Sequence, residues 1–347
     1  MSQESARPTV AHVAVTYSTA SPQTLVDQVL SAYPAATIGV TRSCRLLMGV
    51  SALNDTYLVV TDAARWILKV YRADWRSYGE VQYELDLLAH LNQRGVAVAL
   101  PVARRDGHRI TTLRMPEGPR QAVLYAFAPG RPFRWPFFHD EGECRVAGRA
   151  LAALHDAADD FVSPWLRPVM NLEALLDRPL AELEPYLLDR PHDWEYLVKL
   201  SERLRQRLTT LVAAGLDWGV CHGDYQPGNA SIAEDAGVTI YDFDAGGPGW
   251  RMLDLTAYHK QCAEGDQGRK IWQAFLDGYT GVRRGGQGVS PADLAAVPVL
   301  VAAGEIYALG FKARGITKTW WDSWWLPYSE LDVRIPFLRR WEAEFLG

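Results

Sequence analysis

The stretch Cys221-His222-Gly223-Asp224-Tyr225-Gln226-Pro227-Gly228-Asn229, followed by Tyr241-Asp242-Phe243-Asp244, constrains this chain more than any other part of it. Gly223, Pro227 and Gly228 deny the segment from His222 to Asn229 a helix or a strand, so it reads as a loop. Val238-Thr239-Ile240-Tyr241 reads as a strand that delivers Asp242 at its end. An Asp is thus trailed by an Asn five residues on, and by a second Asp thirteen residues beyond the Asn. Phosphoryl transfer needs such a set on one wall of a cleft. One carboxylate accepts the proton of the attacking hydroxyl, while an amide oxygen and another carboxylate hold the magnesium ions that bridge the ATP phosphates. Either tripeptide by itself is an ordinary turn, because Asp, Asn and Gly are turn formers. The ordered set carries the reading.

HGDYQPGN and YDFDAGGPGWRMLDL together resemble the catalytic and metal segments of the aminoglycoside phosphotransferase and choline kinase family, which has the protein-kinase-like fold. The resemblance implies Asp224 as catalytic base and Asn229 and Asp242 as magnesium ligands. It also implies that His222 and Asp254 brace the catalytic loop through hydrogen bonds.

Composition fits that reading. The 347 residues suffice for two sizeable cores, and 48% hydrophobic with 22% charged content is ordinary for a soluble globular protein. A net charge of -5 argues against nucleic acid as a partner and agrees with a cationic one. Cys44, Cys144, Cys221 and Cys262 are scattered without a CxxC pair, as expected of reduced thiols in the cytoplasm. MSQESARPTV has acid and proline where a signal peptide has basic and then apolar residues. Glu305, Pro298 and two glycines interrupt the apolar run Leu294 to Phe311, which suits a buried helix better than a membrane span.

Residues 23–33 carry apolar positions at helical spacing, and strand-like runs follow at Arg45–Val50, Tyr57–Thr61 and Trp66–Tyr71. A helical stripe at Val81–Gln93 and two more strands near 109–115 and 121–127 complete the order of a kinase's small lobe. The tract Ala128-Pro129-Gly130-Arg131-Pro132 reads as a boundary, placing an ATP-binding lobe at 1–127 and a catalytic and acceptor-binding lobe at 128–347. Beyond it helices are expected at 143–158, 196–214, 269–279, 291–313 and 331–345. The fold class is therefore α+β, two-lobed and protein-kinase-like, with a small mixed β-sheet lobe and a larger, mainly helical one.

On the ATP side, Lys69 shares a strand face with Ile67 and Tyr71 by two-residue alternation. A lysine placed mid-strand either snorkels from an edge or points into a site. Its position in the third strand resembles the kinase lysine that holds the α and β phosphates, and such a lysine needs an acidic partner on the next helix. Glu84 is the preferred partner over Glu80. The loop Gly49-Val50-Ser51-Ala52-Leu53-Asn54-Asp55 has one glycine where protein kinases have GxGxxG, leaving backbone amides and the Ser51 hydroxyl to meet phosphate. Adenine is expected against the backbone near Tyr125-Ala126-Phe127.

The acceptor side is less constrained. Asp244, two residues past Asp242, either steadies a cationic acceptor or caps the following glycine turn. Trp320, Trp321, Trp324 and Trp325 beside Asp322 form an aromatic cage or, more simply, packing. Glu305 faces the acceptor or pairs with Lys312 or Arg314, and His155 and His259 read as packed or surface histidines. The expected reaction moves the γ-phosphoryl group of ATP, with Mg2+, to a hydroxyl of a small amine-bearing molecule: an aminoglycoside, homoserine or another amino alcohol, or choline. A bacterial protein serine/threonine kinase and a nucleotide-binding pseudokinase are the alternatives. The intact Lys, Asp, Asn and Asp set argues against the pseudokinase.

Overall fold

The structure is a computed structural model and describes residues 13–49, 53–132, 140–233, 237–262, 265–320 and 326–347. Ser51, Trp321, Asp322, Trp324 and Trp325 lie outside the described residues.

After helix α1 (Pro22–Gln28) the chain builds a five-stranded antiparallel sheet from β1 (Thr41–Met48), β2 (Asp55–Thr61), β3 (Arg65–Val70), β4 (Ile110–Met115) and β5 (Gly118–Ala126). Strand order is β1-β2-β3-β5-β4, and helix α2 (Tyr78–Gln93) is inserted between β3 and β4. Two-residue alternation sorts the side chains between the two faces. Tyr57, Val59, Leu68, Val70, Ala122 and Leu124 pack with Leu25, Val29, Leu30 and Tyr33 of the N-terminal helical segment. The intervening residues Val123 and Tyr125 join Val81, Leu85 and Leu88 of α2 in the larger core. A fully buried leucine at such a position contributes about 2 kcal/mol. α2 starts where Ser77 and Glu80 form a capping box. Glu80 is thereby committed to the helix end, where it also pairs with Arg76 at 3.2 Å.

The large lobe is dominated by α3 (Glu141–Ala157), α4 (Pro191–Ala213), α5 (Gly265–Thr280), α6 (Pro291–Thr317) and α7 (Asp332–Trp341). α6 is long and apolar enough to cross a membrane by length and composition. Its Val297, Leu300, Val301, Ile306 and Leu309 are instead buried in the large core. A single C-terminal helix was expected at 331–345. The chain there divides into π-turns at Leu326–Leu331 and Glu342–Leu346 on either side of α7, which contains Pro336 and so lacks one amide donor.

Four-residue strands position the loops. β6 (Arg131–Pro132), β8 (Ala230–Ala233) and β9 (Gly237–Ile240) form one small sheet, and β7 (Trp218–Cys221) pairs with β10 (Gly247–Trp250) in another. Cys221 pairs with Gly247 and Ala230 with Ile240. The segment 222–229 and the segment 241–246 are therefore each pinned at both ends, by the same two ladders. A parallel bridge from Val98 to Ile240 ties the small lobe's connecting segment to this framework.

Candidate active site

The two pinned loops meet face to face. Gly223 has φ +82, and a Cβ there would lie 2.4 Å from the Ala245 carbonyl oxygen, so only glycine permits this approach. Asp224 is open to the cleft. Its Oδ2 accepts from Asn229 Nδ2 at 2.8 Å and from Gln226 Nε2 at 3.1 Å, which leaves Oδ1 for a proton from an acceptor. Enclosure away from bulk water raises the Asp224 carboxyl to about 6; Asp242 adds to the shift, and the Gln226 and Asn229 amides oppose it. Asn229 also donates to the Asp224 backbone oxygen at 2.9 Å, so its Oδ1 is the atom left for a hard cation.

Asp242 stands just past β9 in the left-handed conformation, φ 69 and ψ 56, which Asp tolerates better than most residues. Its Oδ1 accepts from Lys69 Nζ at 2.5 Å, and its side chain is 41% exposed toward the cleft. Among the described residues no group of three or more His, Cys, Asp or Glu forms a metal cage. One carboxylate and one amide oxygen facing a cleft are a donor set that fits Mg2+, which takes few protein ligands and completes its shell with water and phosphate.

The nucleotide wall surrounds a cavity of 440 Å³ lined by Ile67, Lys69, Leu88, Ala126, Phe127 and Asp242 among others. Lys69 thus points into the cleft with Ile67. Burial alone would lower its ammonium; the Asp242 and Asp244 carboxylates outweigh that and hold it above its ordinary range. The Ala126 amide, expected near the adenine, donates instead to Leu100 O at 2.8 Å. The expected pairing of Lys69 with Glu84 needs correction. Glu84 is buried, and its Oε2 pairs with Arg167 at 3.1 Å. Its Oε1 accepts from Tyr71 at 2.9 Å and Tyr125 at 3.1 Å.

Residues 48–289 match the model of the phosphotransferase enzyme family. The chain belongs to that family. It is an ATP-dependent kinase of small-molecule alcohols. An uncharacterized protein of Deinococcus radiodurans is 36% identical over 318 residues, 92% of this chain and 90% of that one. A homoserine kinase of Phenylobacterium zucineum is 31% identical, covering 71% of this chain and 72% of its own. In fold the kinase is similar to the amicoumacin kinase hAmiN solved with AMP-PNP, Ca2+ and Ami, with TM-score 0.69, 18% identity and 93% of both chains covered. It is also similar to a microcompartment-associated aminopropanol kinase, with TM-score 0.68, 22% identity, and 92% and 98% of the chains covered.

In this phosphotransferase the catalytic loop rests on buried hydrogen bonds. Asp254 accepts from the His222 amide at 2.6 Å and the Gly223 amide at 2.8 Å. His222 Nε2 donates to Tyr241 O at 3.0 Å, so its Nδ1 is left to accept from the Asp224 amide at 3.3 Å. His155 was expected to be a packed or surface histidine, and is fully buried. Its Nε2 donates to Asp254 at 3.0 Å and its Nδ1 accepts from Tyr279 at 2.7 Å. Burial lowers the His155 pKa, against the pull of Asp254. Burial alone would raise the Asp254 carboxyl, but the bonds from His155 and the His222 amide hold it below the usual carboxylate range.

Asp244 also departs from expectation. The strand stops at Ile240, and Phe243–Ala245 forms a 3-10 turn that buries Asp244. Its Oδ2 accepts from Asn54 Nδ2 at 2.5 Å and Trp75 Nε1 at 3.0 Å, and lies 3.3 Å from Lys69 Nζ. To the two expected roles, steadying an acceptor or capping the glycine turn, the structure adds a third: donors from the small lobe hold this carboxylate at the edge of a second cavity. Burial opposes ionisation, but Lys69 and Arg76 prevail and hold Asp244 at about 2. Glu305 pairs with Lys260 at 2.6 Å and Arg334 at 2.5 Å, not with Lys312 or Arg314, and His259 makes edge contacts with the rings of Trp272, Trp341 and Phe345.

A second cavity of 340 Å³ opens on the other side of Asp242, lined by Trp75, Asp224, Asp242, Tyr307 and Phe311 among others. Trp320 reaches it through edge contacts with Trp75, ring centroids 5.9 Å apart. Sequence reasoning missed Trp75 and Arg167 as parts of the site, and placed Asn54 in the phosphate-facing loop without its bond to Asp244. Each lies in a loop, where no periodicity marks which way a side chain turns.

Proposed function

We propose that the kinase phosphorylates a small, amine-bearing alcohol. The observation that carries the reading is the 340 Å³ cavity, where Asp224 and Asp242 face Trp75, Tyr307 and Phe311. Carboxylates and aromatic faces both favour a cation. Lys69 is the sole cation among the described lining residues, and it is already paired with Asp242 and Asp244. The named relatives support the same class, since homoserine and aminopropanol each carry an amine and a hydroxyl.

In this reading Asp224 Oδ1 accepts the hydroxyl proton as the oxygen attacks the γ-phosphorus, and the bond from that phosphorus to the β,γ-bridging oxygen breaks to release ADP. Lys69 holds the α and β phosphates, and adenine lies against Ile67, Leu88 and the backbone past Ala126. Asn229 Oδ1 and Asp242 would hold Mg2+. The ion, when bound, neutralises charge on the phosphate oxygens. Fixed geometry supplies much of the rate, because the transfer needs little covalent help. A screen of ATP turnover with magnesium across amino alcohols, hydroxyamino acids, choline, aminoglycosides and neutral sugars tests the proposal. Turnover confined to neutral sugars overturns the amine assignment.

A further inference from the structure

We infer that Asp244, not Glu84, is the carboxylate that positions Lys69 for the nucleotide, and that Arg167 commits Glu84 to a structural role. The inference rests on reading Lys69 as the phosphate-binding lysine.

Lys69 is 7% exposed, and an ammonium so enclosed must keep a counter-charge. It has two carboxylates here, Asp242 at 2.5 Å and Asp244 at 3.3 Å. Asp242 is the residue proposed for magnesium, and a carboxylate drawn to a divalent ion holds a lysine less firmly. One of the other two buried acids must then serve.

Glu84 is already committed through both oxygens, to Tyr71 and Tyr125 on Oε1 and to Arg167 on Oε2. Turning toward Lys69 would strand Arg167, which is 6% exposed and has no other carboxylate within ion-pair reach among the described residues. Breaking a buried pair by taking away one partner is strongly unfavourable. Arg167 also donates to the backbone oxygens of Asp244 at 3.2 Å and Gly246 at 3.2 Å, so Glu84 anchors the turn that carries the metal residue.

Asp244 needs no such movement. Asn54 and Trp75 already aim its Oδ2, and Arg76 Nε donates to its backbone oxygen at 2.7 Å. The lysine, its counter-ion and the metal-bearing turn form one unit across the two lobes. Asp244 is therefore a positioning residue, acting on the nucleotide through Lys69.

The test is calorimetric titration of the purified full chain with Mg·ATP and no acceptor. Lys69→Met and Asp244→Asn should each weaken binding about tenfold, the size of a lost charge-assisted contact. The double variant should bind no worse than Lys69→Met alone, since the two residues act together. Glu84→Gln should keep the dissociation constant within about threefold while lowering Tm by several degrees. In steady-state assays Asp244→Asn should raise KM for ATP more than KM for the acceptor.

The inference is overturned if Glu84→Gln weakens ATP and is non-additive with Lys69→Met while Asp244→Asn is additive. Wild-type affinity in Lys69→Met overturns both the inference and the lysine assignment beneath it, which separates the two failures. If Asp244→Asn does not fold, Asn54→Ala replaces it. A loss of about threefold that disappears in the Lys69→Met background supports the inference, and no loss contradicts it.

Discussion

The nucleotide-side and acceptor-side cavities share Met48, Thr56, Lys69 and Asp242, yet different kinds of structure complete them. On the nucleotide side the added walls are Ile67 on β3, Leu88 on α2 and Tyr125 on β5, elements with a regular period. On the acceptor side they are Leu53 and Trp75 from loops and Tyr307 and Phe311 from one turn of α6. The first wall is a by-product of the sheet that folds the small lobe. Both cavities close only when the two lobes pack, since Asn229, Ser231 and Phe243 also line the first, but the acceptor side's own walls lie outside that sheet and can change without disturbing it.

The largest expected effect breaks the chemistry and spares both walls. Asp224→Asn should lower kcat on the order of a thousandfold and leave ATP affinity within about threefold, because the base acts on the acceptor hydroxyl in the transition state. Near wild-type turnover in a folded variant would remove Asp224 from its role. Next in size, Asp242→Ala should abolish the tightening of ATP binding by magnesium, a loss of tenfold or more, read by calorimetry with and without the ion. If magnesium still tightens binding, Asp242 is structural.

Two variants sharpen the contrast between the walls. Ile67→Ala should raise the ATP dissociation constant about fivefold and leave acceptor KM steady, while Phe311→Ala should raise acceptor KM about fivefold and leave ATP binding steady. Equal effects of either variant on both ligands would mean that the cavities work as one. The smallest effect is electrostatic. Raising ionic strength should lower kcat/KM for an amine acceptor two- to threefold, because screening weakens its attraction to the cleft carboxylates. Independence from salt would place recognition on the aromatic faces alone.

The sequence made the same division visible. The order of strands and helices, the shared face of Lys69 and Ile67 and the loop carrying Asp224 and Asn229 were legible, because alternation and turn formers are local signals. Its limits appear at Glu84, whose spacing suited a lysine partner until Arg167, from a loop far along the chain, proved to hold it. Asp244 shows the same limit from the other side. The sequence left it between the acceptor and the glycine turn, whereas the left-handed turn at Asp242 directs it to Asn54 and Trp75. Three of the four short strands that pin the two loops escaped notice, because four residues such as Gly247–Trp250, with two glycines and a proline, carry no strand pattern of their own. His155 supports the loop from within α3, and no spacing links it to Asp254.

The central claim is that the cleft passes a phosphoryl group from ATP to the hydroxyl of a small amine through Asp224. Its most direct test follows the phosphorus itself, by 31P NMR of the purified chain with Mg·ATP and a panel of amino alcohols. The account predicts a new phosphomonoester signal that appears with an amine-bearing alcohol, in step with ADP, and fails to appear with Asp224→Asn. ADP formation that no alcohol accelerates, or a phosphomonoester formed equally well by Asp224→Asn, would contradict it.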